Sequence, residues 1–164
     1  LTGAFVAALS LYLIFQEHLL IKSIDNAVMF GEYYPNIGNN ELAELPTFGA
    51  MCIEFFATFL LMVGILLVVK TNDQKPQLLN PVLIGTWVMI LIYLFAPFTQ
   101  CGMNPARDFA PRLFSYIAGW EMAFSYNQLG WLLVYVICPL FGAISGAWVV
   151  KKVLLPRRVD VSVD

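Results

Sequence analysis

Charged and turn-forming side chains lie together in residues 100–114, QCGMNPARDFAPRLF, which include Arg107, Asp108 and Arg112. Residues 78–98, just upstream of them, are almost all apolar, so the charged segment begins at or inside a lipid bilayer. A cation at that depth costs several kcal/mol against lipid. Because a guanidinium offers only donors, we expect Arg107 to face an aqueous path and to donate to the oxygen of a solute or of water.

A half-length helix is predicted to position Arg107. Asn104 is a favourable N-cap, Pro105 suits the first helical position, and Asp108 places an acid in the first turn. The helix is predicted over residues 104–116, roughly 18 Å, which is half of a hydrocarbon core. Residues 100–103 then enter as extended backbone, which at that depth must line a cavity or be buried in protein.

The N-terminus of such a helix carries about half a positive charge and free N–H groups, and we expect these and the Asn104 amide to face the cavity. That field disfavours cations and protons and admits neutral hydrogen-bonding solutes. An alternative from the residues alone is an amphipathic helix on the outer surface, with Arg107 and Arg112 at lipid headgroups.

The composition indicates an integral membrane protein. The chain has 164 residues, 60% hydrophobic and 12% charged, and its mean hydropathy is +0.75. The apolar residues form long runs without strand-like alternation, so the predicted fold class is all-α, a helical bundle with one re-entrant half-helix. A net charge of −2 offers no basic surface for nucleic acid, and that class of partner is excluded.

Four membrane-spanning helices are predicted, over residues 1–21, 48–69, 78–95 and 129–150. Glu54 is a lone carboxylate within the second of them and is a functional candidate for that reason. Gly142 and Gly146 give the last one a small face for close helix packing.

Basic residues predict the orientation. Positive charge favours a cytoplasmic location for the link after the second span and for the tail at residues 151–164, so the loop between residues 22 and 47 faces outside. The basic residues concerned are Lys70, Lys75, Lys151, Lys152, Arg157 and Arg158. The only histidine, His18, is expected at the membrane interface, and the sequence offers no catalytic set, no metal site and no cofactor motif.

The string GMNPARDFAPRLF, followed by AGW and by CPLFGAISGA in the next span, resembles the second half of the aquaporin superfamily, in its glycerol-conducting branch. This resemblance implies a tetramer of subunits, each with its own pore. It also implies two inverted halves per subunit, each having three spans and a half-helix with an Asn-Pro-Ala box. Here one box is present, Asn104-Pro105-Ala106, so the chain is expected to be the C-terminal portion of a longer protein and to need the missing N-terminal half to close a pore.

The assignment to the glycerol branch rests on single positions that resemble glycerol facilitators. Asp108 stands where water-selective members have a small residue, and Arg112 is the basic residue four positions later. The remaining branch-determining residues are Phe15, Pro139 and Leu140.

The resemblance also assigns pore residues. Arg107 and Asn104 supply donors, and the carbonyls of Gln100, Cys101 and Gly102 supply acceptors. Cys101 takes a place where glycerol channels often have an aromatic residue, and its thiol is expected to line the pore and to react with mercurials. Asp108 is expected to cap N–H groups or to pair with Arg112.

Two further residues are assigned by the resemblance. Ile92 occupies a constriction position where glycerol channels prefer a small side chain. Glu54 is expected to accept hydrogen bonds from the N–H groups of the entering loop; this structural role is favoured over a proton relay.

The leading hypothesis is a passive, non-enzymatic channel in the cell membrane for glycerol and other small uncharged solutes, with water and with urea or longer polyols as further candidates. Two alternatives stay open. One is a water-selective channel, in which the resemblance implies a histidine at about the position of Ile92; the absence of that histidine and the presence of Asp108 disfavour it. The other is a truncated, non-conducting protein with a structural role.

Overall fold

The computed structural model describes residues 1–39, 44–71 and 77–154, and this part of the chain contains helices, turns and loops without a β-strand. The all-α prediction is therefore confirmed. The helices are α1 (Thr2–Phe15), α2 (Ile24–Ala27), α3 (Thr47–Thr71), α4 (Asn80–Thr99), α5 (Pro105–Ile117), α6 (Met122–Ser125) and α7 (Gly130–Leu154).

Three of these helices, α3, α4 and α7, are long and apolar enough to cross a membrane. α1 has 14 residues and ends at Phe15 rather than at residue 21. Its predicted last part is a turn, because the polar residues Gln16, Glu17 and His18 interrupt the apolar run. α4 continues to Thr99, past the predicted end at residue 95, and contains Pro97 near its C-terminus.

Close packing of α3 against α7 forms the centre of the bundle. A Cβ on Gly146 would lie 2.6 Å from the Phe59 carbonyl oxygen, and one on Gly142 would overlap the Phe55 carbonyl. The small face predicted for the last span therefore lies against the α3 backbone. Within α7, residues Leu133–Ile137 widen into a π-helical turn just before Pro139, a residue without an N–H to donate.

The described residues between α1 and α3, 16–39 and 44–46, fold back over α4 and α5, and we call them the α1–α3 loop. Asn36 donates from its backbone to the Phe98 carbonyl (2.9 Å) and from its side chain to the Ala96 carbonyl (2.8 Å). An aromatic cluster of Phe30, Phe114 and Trp120 packs the same loop against α5. The loop is thus a fixed part of the structure around α5.

Three orientation markers, Lys75, Arg157 and Arg158, lie outside the described residues. The described markers Lys70, Lys151 and Lys152 lie at the C-terminal ends of α3 and α7.

Candidate functional site

The N-terminus of α5 is capped as its sequence predicts. The Asn104 Oδ1 accepts hydrogen bonds from the N–H groups of Ala106 (3.0 Å) and Arg107 (3.4 Å), and Pro105 occupies the first helical position. Asn104 is exposed, and among the described residues nothing accepts from its Nδ2. The cap therefore uses the amide oxygen and leaves the amide N–H groups available to a solute.

The loop entering α5 differs from the extended backbone that was expected. Gln100, Cys101 and Met103 have left-handed φ angles of 63°, 60° and 49°. Left-handed backbone is uncommon for residues with a Cβ and persists where the surroundings hold it. Here it turns successive N–H groups to one side, the arrangement that binds an anion.

Glu54 of α3 is that anion. Its carboxylate accepts from the N–H groups of Gly102 (2.9 Å) and Met103 (2.8 Å) and from the Thr99 hydroxyl (2.6 Å), and it is fully buried. The hydrogen bonds expected of Glu54 are thus present. The N–H groups of Gly102 and Met103 both point to Glu54, which leaves the loop carbonyls free to point elsewhere. Among the described residues, nothing donates to the oxygens of Gln100, Cys101 or Gly102.

The Cys101 side chain does not lie where the sequence placed it. It is 2% exposed and packs against Ala57, Leu91 and Met103, and its Sγ lies 3.6 Å from the Leu91 carbonyl oxygen. The left-handed backbone at Cys101 turns the thiol into the α3–α4 interface, so the expectation of a pore-lining thiol is wrong.

Gln100 also turns its side chain away from the open face. Its Oε1 accepts from the Tyr33 N–H of the α1–α3 loop (2.6 Å). Only its backbone carbonyl is left for the acceptor role that the resemblance assigns. Gly102 is buried, and a Cβ there would lie 2.9 Å from the Tyr135 ring, so its close approach requires glycine.

Arg107 projects from the first turn of α5 into a cavity of about 480 Å³, which Asn104, Glu32 and α1 also line. Its side chain is 52% exposed and forms an ion pair with the carboxylate of Glu32, whose side chain is 10% exposed. Burial raises the pKa of Glu32 to about 7, and the Arg107 charge opposes that rise. A carboxylate of the α1–α3 loop therefore faces the predicted donor of the site.

Asp108 and Arg112 form a buried ion pair one turn further along α5. The Arg112 Nε and Nη2 donate to Asp108 Oδ2 (2.9 Å) and Oδ1 (2.8 Å), and Arg112 is 1% exposed. Arg112 also donates to the carbonyls of Ala123 (2.6 Å) and Glu32, and its guanidinium stacks on Tyr33. The surface-helix alternative is therefore wrong for Arg112, and of the two roles considered for Asp108 the structure has the pairing with Arg112.

The other predicted residues lie outside the lining of the Arg107 cavity. Ile92 is 43% exposed and lies on α4 next to Leu91, whose carbonyl faces the Cys101 thiol. Phe15 is exposed at the end of α1, while on α7 Pro139 is buried and Leu140 exposed. None of these four lines the cavity into which Arg107 projects.

Sequence reasoning missed Glu32 and Tyr33. They belong to GEYYP in the α1–α3 loop, where an acid between a glycine and two aromatic residues was the one available signal. Within the described ranges, no group of three His, Cys, Asp or Glu side chains is placed to hold a metal ion.

Comparison with known proteins gives a consistent set of relatives. The pattern of the major intrinsic protein family matches residues 1–150. The glycerol uptake facilitator protein of Haemophilus influenzae is 29% identical over 93% of this chain and 61% of its own length, and that of Escherichia coli K12 is 31% identical over 93% and 57%. The X-ray structure of the aquaglyceroporin from Plasmodium falciparum superposes with a TM-score of 0.76 at 23% identity, over 94% of this chain and 61% of that one. The chain thus spans about three fifths of the proteins it matches.

Proposed function

This chain belongs to the major intrinsic protein family, and from that membership and the site geometry we propose that the complete protein is a passive membrane channel for glycerol and similar small uncharged solutes, with water passing alongside. The glycerol facilitators among its relatives support this choice of solute, and the structural neighbour supports the fold. No enzymatic activity is assigned to it.

The observation that carries the proposal is the arrangement around Arg107. An exposed guanidinium, the free Nδ2 of Asn104 and the unpaired carbonyls of residues 100–102 lie within one short stretch of chain at a helix N-terminus. A polyol needs both donors and acceptors in a dry passage, because each unpaired hydroxyl there costs about 1–3 kcal/mol. These groups supply both kinds of partner.

The same groups account for the exclusion of ions. Asn104 and Arg107 place a helix N-terminus and a fixed cation at one point, so cations meet a repulsive field while neutral solutes do not. Glu54 and the buried Asp108–Arg112 pair act behind this surface: Glu54 fixes the loop carbonyls, and the pair fixes α5 against the α1–α3 loop.

The missing part of the pore is supplied by an N-terminal half of the same protein, which adds the second Asn-Pro-Ala box and an aromatic edge to the constriction. We further propose a homotetramer in the cell membrane with the C-terminus cytoplasmic, an orientation that Lys70, Lys151 and Lys152 support.

Ile92 favours a second candidate, a water-selective channel, because a branched side chain at the constriction narrows the passage. Uptake of radiolabelled glycerol by cells that express the complete protein separates the two. We expect uptake well above that of cells without the protein, and an Ile92→Ala variant should raise it further.

The matched variant is Ile92→Trp, whose larger side chain should block the passage. It should return glycerol uptake to the background level at equal surface expression. Glycerol uptake at background in the wild-type protein and in Ile92→Ala, together with rapid osmotic swelling, would support the water-selective candidate instead.

A further inference from the structure

Glu32 is held in place by its backbone. Its N–H donates to Asp108 Oδ1 (2.7 Å), and its carbonyl accepts from Arg112, so the buried Asp108–Arg112 pair fixes both sides of this one loop residue. The direction of the Glu32 side chain is therefore set by a rigid, buried network rather than by a mobile loop.

Arg107 depends on Glu32 for its own position. Among the described residues, the Glu32 carboxylate is the one group that binds the Arg107 guanidinium, and the rest of that side chain is open to the cavity. A long side chain held at one end loses about 1.5–2 kcal/mol of rotamer freedom, and it regains that freedom when its partner is removed.

We propose that Glu32 is a positioning residue for Arg107, whose charged carboxylate holds the guanidinium against the α1–α3 loop and whose protonation releases it into the path of the solute. The inference rests on the proposed channel function. A released guanidinium occupies space that a three-carbon solute needs, so glycerol flux falls more than water flux.

The charges around Glu32 set the pH at which this release occurs. α5 presents Arg107, Asp108 and Arg112 to it, and α3 contributes Glu54. Burial is the largest cause and raises the pKa of Glu32 from 4.5 to about 7, with the Asp108 and Glu54 charges in the same direction and Arg107 against it.

The sign follows from the raised pKa. Glu32 is charged and bound to Arg107 above pH 7 and is protonated below it. Acidification also removes one negative charge beside Arg107, so the acid form carries the stronger barrier to cations.

The test is stopped-flow light scattering on proteoliposomes of the complete protein, with the same buffer on both sides, at pH 6 and pH 8. The charged fraction of a group with a pKa near 7 falls from about 90% to about 10% between these values. We expect glycerol permeability to fall by about threefold or more at pH 6, with a midpoint near 7 and a smaller change for water.

Glu32→Gln keeps the size of the side chain without its charge and should be insensitive to pH, at the wild-type acid level. Glu32→Ser tests the same point with a smaller side chain in case the amide disturbs folding. Asp25→Asn removes an exposed carboxylate of the same loop and should retain the wild-type pH response.

Each outcome decides a different point. Glycerol permeability at the lipid baseline at both pH values would contradict the channel function itself. Clear permeability that does not change with pH, or a wild-type response retained in Glu32→Gln or Glu32→Ser, would overturn the role of Glu32 and leave the channel function standing. If neither variant folds, a midpoint far from pH 7 in the glycerol permeability of the wild-type protein would also overturn the role of Glu32.

Discussion

Glu54 stabilises the entering loop through three hydrogen bonds to one buried carboxylate. A carboxylate accepts all three, whereas an amide has one oxygen and would present its own donors to the N–H groups of Gly102 and Met103. The left-handed residues of the loop depend on these bonds, because nothing else among the described residues accepts from those two N–H groups.

We therefore expect Glu54→Gln to destabilise the protein by about 1–3 kcal/mol, the cost of a buried donor left without an acceptor. Thermal unfolding of the purified protein in detergent measures the change. Glu17→Gln, at an exposed position, is the control and should leave the unfolding temperature unchanged. Equal stability of the two variants would show that the loop conformation does not depend on Glu54.

A second prediction for a single residue follows from the position of the Cys101 thiol. It is buried beside Leu91, and thiols react when they are accessible. We expect a mercurial to leave the solute flux of the complete protein unchanged on the timescale that labels an exposed cysteine. Rapid block that is lost in Cys101→Ser would show that the thiol faces the path after all.

The half-helix α5 could be read from the sequence because its signals are local. Asn104 is the N-cap, Pro105 takes the first helical position and Asp108 is the acid of the first turn. Each of these roles depends only on residues within the same turn. Local signals also explain why α1 ends early: three consecutive polar residues follow Phe15.

The contacts of α5 with the α1–α3 loop could not be read in this way. Glu32 lies 76 positions from Asp108, and no local rule pairs residues at that distance. The orientation of Cys101 was missed for another reason, since it depends on a left-handed backbone that Glu54 imposes from another helix. Sequence patterns thus gave the elements of the site, and tertiary contacts decide which side chains face the cavity.

The α3–α7 contact gives a prediction at the level of elements. Gly142 lies against the Phe55 carbonyl, so a methyl group there must move one helix away from the other. We expect Gly142→Ala to destabilise the protein by about 1–3 kcal/mol, the usual cost of overpacking, in spite of the better helix propensity of alanine.

Gly85→Ala is the matched control on α4, where nothing lies within 4 Å of the added Cβ. It should be neutral or slightly stabilising in the same thermal unfolding experiment. Equal effects of the two substitutions would contradict the close approach of α3 and α7.

The molecule as a whole presents one wall of the proposed passage. Arg107, Asn104 and Ile92 are exposed here, and many large apolar side chains on α4 and α7 are exposed as well. We propose that the path is built from two inverted halves, and on that proposal these surfaces need the second half to close it. The chain spans 61% of its Haemophilus influenzae relative, in agreement with that arrangement.

The 164-residue chain alone is therefore expected to leave the glycerol permeability of liposomes at the lipid baseline. Co-reconstitution with the separately expressed N-terminal half is the matched comparison and should restore flux if the halves assemble. A clear increase with the chain alone would show that two copies can pair to form a path.

Conduction of glycerol by the complete protein through the site around Arg107 is tested most directly by stopped-flow light scattering on proteoliposomes under a glycerol gradient. We predict glycerol permeability well above that of empty liposomes, together with rapid water flow. Rapid water flow with glycerol at the lipid baseline would contradict glycerol conduction and establish a water-selective channel.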